Sequence, residues 1–114
     1  MKRAALHETD TFHRQSPFNR IMIVWASWIT LKDRNEPGGW SNPQDAKEFM
    51  RTGEAAEAMI NELPRHQWWA IRKSRGICTV WMFPNLDIAE ALEKAEATLT
   101  PKMKINADTH RFFY

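Results

Sequence analysis

The sequence predicts a mostly α-helical protein, a compact bundle of about four helices with an irregular or short extended segment at 77–83. Three observations carry this. Apolar residues recur at three- and four-residue spacing along three long segments, as amphipathic helices require. Capping residues followed by proline stand at the head of two of these patterns, Ser16-Pro17 and Asn42-Pro43. Only residues 77–83 have the composition of a strand, and a lone strand finds no partner in a chain that otherwise reads as helix.

Taken in order, residues 1–15 are polar, mixed in charge and without period, so they read as a flexible N-terminal arm ahead of a single domain at 16–114. The first helix starts at Ser16-Pro17 and runs to about Arg34. Phe18, Ile21, Met22, Trp25, Trp28 and Ile29 fall on one of its faces. Asn35-Glu36-Pro37-Gly38-Gly39 is a run of helix breakers. The second helix opens at Asn42-Pro43, with a stripe through Ala46, Phe49, Met50, Gly53 and Ile60. Gly53 costs a helix about 1 kcal/mol relative to alanine, which predicts a bend or break there.

Proline disfavours helical geometry in the residue before it, so Leu63-Pro64 marks a boundary and a short third helix follows to about Lys73. Ser74-Arg75-Gly76 reads as a turn. Pro84-Asn85 restarts the chain with Asn85 as cap, and Leu92 and Leu99 lie on the apolar face of a fourth helix ending before Pro101. The terminal Phe112-Phe113-Tyr114 is costly to leave in water, so it either folds back onto the core, the favoured reading, or docks on another protein. The expected core includes Ile21, Met22, Trp25, Trp28, Phe49, Ile60 and Leu92.

Size and composition bound the function. At 114 residues, 43% of them hydrophobic and 26% charged, the chain suits one globular domain able to build a core without metal or disulfide. Its single cysteine cannot form an internal disulfide. The apolar run at 21–29 falls well short of the roughly 20 residues of a membrane span. His7, Glu8 and Asp10 stand where a signal peptide is apolar. A cytoplasmic location, with no membrane partner, is therefore expected.

Candidate chemistry is sparse. The four histidines, His7, His13, His66 and His110, are scattered without ligand spacing, so no metal is expected. Cys78 sits in an apolar stretch where buried, inert thiols are common. The four glycines form no phosphate-cradling pattern. Glu54 and Glu57 have the spacing of a solvated helix face. No nucleophile, base and ligand set converges, so neither an enzyme nor a cofactor site is expected.

The informative segment is basic. Residues 64–85 carry Arg65, Arg72, Lys73 and Arg75 and no acid, between acidic stretches at 44–63 and 86–97. Cations neutralise phosphates and glutamine can hydrogen-bond a base edge, so Arg65, Gln67, Arg72, Lys73 and Arg75 form a candidate nucleic-acid face. The alternative is a solvated basic face with tryptophans packed inward. Six tryptophans is a high number for this length, and Trp40, Trp68 and Trp81 are candidate protein-interface anchors.

Four stretches together carry a family likeness. A helix with Trp25-Ala26-Ser27-Trp28 precedes a glycine-containing break into Gly39-Trp40. Ala58-Met59-Ile60-Asn61-Glu62-Leu63-Pro64 follows, and Ala91-Leu92-Glu93-Lys94-Ala95-Glu96-Ala97-Thr98-Leu99 closes the pattern. Over about residues 20–103 this resembles the phage Q-type late-gene antitermination proteins. The resemblance implies a phage-type transcription regulator that binds DNA near a late promoter together with host RNA polymerase. It also implies a helix-turn-helix after the Leu-Pro step. The chain departs from that pattern at 76–84, which is apolar and aromatic where a recognition helix would follow, so base reading would fall to residues 65–75. The alternative function is a small phage or mobile-element protein that inhibits one host protein by direct binding, with tryptophan and arginine as anchors.

Overall fold

The computed structural model describes residues 14–34 and 43–114. The breaker run at 35–39, Trp40, Asn42 and all but the end of the expected N-terminal arm lie outside them. The described residues form four helices: α1 (Pro17–Arg34), α2 (Pro43–Ile60), α3 (Arg65–Ser74) and α4 (Ile88–Ile105). A single 3-10 turn follows at His110–Phe112. Among the described residues no segment forms a strand.

Helix α1 begins as its sequence requires. The Ser16 hydroxyl accepts from the Asn19 amide at 3.1 Å, satisfying one of the free donors of the first turn. Phe18, Ile21, Met22, Trp25, Trp28 and Ile29 are all buried, and α2 packs along this face with Ala56, Met59 and Ile60. Met50, expected on the α2 stripe, is instead about half exposed, because the buried face of α2 runs through Thr52, Gly53 and Ala56.

Gly53 neither bends nor breaks α2, which continues to Ile60. A methyl group at Gly53 would lie 2.6 Å from Cβ and Cδ2 of Trp28 and nearer still to its Cγ. The glycine is where the α1 indole seats against the α2 backbone. Its propensity cost is offset by close helix packing.

Residues 61–63 turn the chain after α2, and the extended Pro64 follows, its carbonyl accepting from the Trp68 amide to start α3. Helix α3 buries Gln67, Ala70 and Ile71 and packs against α4. The turn at Ser74-Arg75-Gly76 is present, and Gly76 supplies the positive φ of 75° that closes it. Residues 77–83 form the irregular connector.

Two expectations about α4 are corrected. Its cap is Asp87, whose carboxylate accepts from the Ala89 amide at 3.0 Å, whereas Asn85 belongs to the preceding turn. The helix also continues through Pro101 to Ile105. Proline removes one intrahelical hydrogen bond, but buried Leu99 and Met103 on either side hold both halves on the core. Phe49 and Leu92 are half-buried against that core rather than inside it. Of the terminal aromatics, Phe112 and Phe113 fold back onto the core and Tyr114 points into solvent. Within the described residues no helix is long and apolar enough to cross a membrane.

Candidate functional site

Helix α3 and the connector behind it carry most of the residues singled out in the sequence. The spacing of Arg65 and Arg72 places them on one side of α3, and Gln67 points to the opposite side. There Gln67 is buried, so it cannot meet a base edge. This corrects its place in the candidate nucleic-acid face.

Arg72 is spent on the fold. Its Nη2 donates to Oε1 of Glu57 on α2 at 3.1 Å, and the two side chains are only 14% and 18% exposed. The guanidinium also lies 4.1 Å from the Trp68 ring centroid and 5.6 Å from that of Trp25. Lys73 donates to the Thr79 carbonyl at 2.8 Å, tying the connector to the helix. Arg75 donates to Asn19 of α1 at 3.1 Å and sits in the cleft between α1 and α4. Burial pushes its pKa below the ordinary arginine value, and the nearby Glu96 carboxylate partly offsets that. Only Arg65 of the five is exposed. These residues are therefore not brought together as one phosphate-facing surface.

The tryptophans divide differently. Trp68 is half-buried against the core, donates its indole N–H to Asn61 at 2.9 Å and meets Trp69 edge to face at 5.0 Å. Trp81 is half-buried and donates to the Leu86 carbonyl at 3.1 Å. Its ring lies 5.3 Å from that of Phe83, which in turn meets His66 of α3 at 6.5 Å. Trp40 lies outside the described residues.

The connector thus folds back along α3. At its start the amides of Ile77 and Cys78 both donate to the Arg72 carbonyl, and at its end Phe83 reaches His66. This arrangement turns Trp81 and Phe83 toward the protein and leaves Val80, Met82 and Leu86 outward, 63%, 51% and 46% exposed. Sequence reasoning did not single out these three. No signal in the sequence separates them, since residues 77–83 are almost uniformly apolar and Leu86 lies beyond that segment.

Cys78 is half-buried and free, with its Sγ 4.0 Å from the Val80 carbonyl oxygen. No three of His, Cys, Asp and Glu among the described residues are grouped where they could hold a metal ion. No protein-family model, curated protein sequence or solved structure matches this chain.

Proposed function

We propose that this protein acts by direct contact with another protein, through the surface formed by the connector and the outer edge of α3. One observation supports this most. Arg72, Lys73 and Arg75 are turned onto Glu57, Thr79 and Asn19, and beside them Val80, Met82 and Leu86 present apolar side chains to water. Large apolar side chains left exposed at nearby positions of one segment, with polar groups around them, are a feature of protein contact sites. Phosphate binding needs the opposite arrangement, with free cations in a row.

This reading favours the inhibitor-like alternative over DNA recognition by residues 65–75. It also leaves the protein half of the antiterminator resemblance open as a proposal, since host RNA polymerase is one partner such a surface could take. The test pairs two measurements. Binding to a mixed-sequence DNA duplex is followed by fluorescence anisotropy at two salt concentrations. The tagged protein is also used to retain partners from host lysate with and without nuclease. The expected result is weak DNA binding of low salt sensitivity, and a nuclease-resistant protein partner that Val80→Glu releases. Tight duplex binding that falls about a thousandfold between 50 and 200 mM salt, as six or more phosphate contacts produce, would overturn the reading.

A further inference from the structure

We propose that residues 77–83 pair with the same segment of a second copy, as two antiparallel strands across a two-fold axis. This rests on the protein-contact reading above and names the partner.

The backbone supplies the first argument. Residues 78–83 run without helix, turn or bend. Among the described residues, the amides of Thr79, Val80, Trp81, Met82 and Phe83 find no protein acceptor. Successive amides of an extended stretch face opposite edges, so two or three of these five donors lie along either edge, free to recruit an added strand.

Side chains supply the second. From Val80 to Phe83 exposure alternates, with Val80 and Met82 outward and Trp81 and Phe83 half-buried toward the protein, as in a strand backed on one face, whereas ahead of them Ile77 and Cys78 are half-buried and Thr79 is exposed. The residues are β-branched or aromatic for the most part, as strand pairing favours. Helix α3 already backs the segment, so a two-stranded ribbon formed here has the support that an isolated pair lacks.

Self-complementarity supplies the third. Pairing antiparallel about Val80 sets Val80 against its own copy, Cys78 against Met82, Thr79 against Trp81 and Ile77 against Phe83. No charge lies between Gly76 and Leu86, so no like charges are opposed within the ribbon. Lys73 and Arg75 precede the segment, and Asp87, Glu90 and Glu93 follow it, with Lys94 paired to Glu90. Lys73 and Arg75 are held by Thr79 and Asn19 of their own chain, so the acidic flank decides the direction: antiparallel pairing keeps the acidic flanks of the two copies at opposite ends of the ribbon, whereas parallel pairing would oppose them. A two-fold contact of this kind is isologous and closes on itself. The ribbon is smaller than a standard interface of about 1,600 Å², so the dimer is weak and concentration-dependent.

Sedimentation velocity on the full chain over about 1 to 200 μM tests this, with far-ultraviolet circular dichroism to check that each variant is folded. The expected result is a reversible monomer–dimer equilibrium whose dissociation constant rises at least tenfold in Val80→Lys, which opposes two like charges on the axis. Met82→Cys tests the register separately. Under mild oxidation it should give a covalent dimer joining Cys78 of one copy to the introduced thiol of the other, because directly opposed strand residues lie within disulfide reach. A chain that stays monomeric throughout, a dimer unaffected by Val80→Lys, or a Met82→Cys variant that does not cross-link would each overturn the proposal. If the chain is monomeric but Val80→Glu still releases a captured protein, the dimer fails and the protein-contact reading stands. If no protein is captured either, both fail.

Discussion

At Arg72, three interactions meet on one guanidinium: the Glu57 carboxylate at 3.1 Å and the faces of Trp68 and Trp25. Neither partner of the ion pair is more than a fifth exposed, so removing the cation leaves Glu57 poorly hydrated and unpaired. Arg72→Ala should therefore cost about 2 to 3 kcal/mol, somewhat less than the loss of one partner from a fully buried pair. Arg72→Lys restores charge but not the planar stack, and should recover only part of that. Arg65 has no such contacts, and Arg65→Ala should change stability by less than about 0.5 kcal/mol. Urea denaturation of the three variants checks the order. Equal stability of Arg65→Ala and Arg72→Ala would show that Arg72 is an ordinary surface cation.

The contact between α1 and α2 has its own measure at Gly53. An alanine there gains about 1 kcal/mol of helix propensity, but its methyl group collides with the Trp28 ring. Overpacking of a tight contact costs about 1 to 3 kcal/mol, so Gly53→Ala should be net destabilising, read as a lower midpoint in thermal unfolding. A variant more stable than the parent would mean that α1 can move away at no cost. In α4, Asp87→Ala removes the cap to the Ala89 amide and should cost about 1 kcal/mol. The same elements show what the sequence made legible. Local periodicity was enough to place all of α1 and its buried face, because a stripe of six apolar residues fits only one helical side. The role of Gly53 was not legible, since its partner, Trp28, lies on a different helix. Pro101 was misjudged for the same kind of reason, because core contacts from Leu99 and Met103 outweigh a local rule. The basic segment was visible as composition, yet Arg72 and Arg75 are taken up by Glu57 and Asn19, which only the folded chain brings near.

On the scale of the whole molecule, α1 packs with α2 and α3 packs with α4, and the C-terminus ties α1, α2 and α4 together. Arg20 of α1 donates to the Phe112 carbonyl at 2.8 Å. Thr52 of α2 donates to the Asp108 carbonyl at 3.2 Å and accepts from Arg111 at 2.7 Å. Thr109, fully buried, donates to the Met103 carbonyl at the end of α4 at 2.6 Å. Phe112 and Phe113 cover the core beside them. Deleting residues 107–114 would strip the buried Thr52 of both partners and uncover two phenylalanine-sized areas of core. At about 1 kcal/mol per hydrogen bond and about 1.5 kcal/mol or more per aromatic side chain, the loss exceeds about 4 kcal/mol. That is a large share of the roughly 5 to 15 kcal/mol by which a domain is stable. The truncated chain should melt on the order of 20 °C lower, whereas Tyr114→Ala, at an 87% exposed side chain, should melt with the parent. Circular dichroism melts of the three proteins decide it: a truncated chain that unfolds at the parental temperature would make the C-terminus a passive tail and not the tie between α1, α2 and α4.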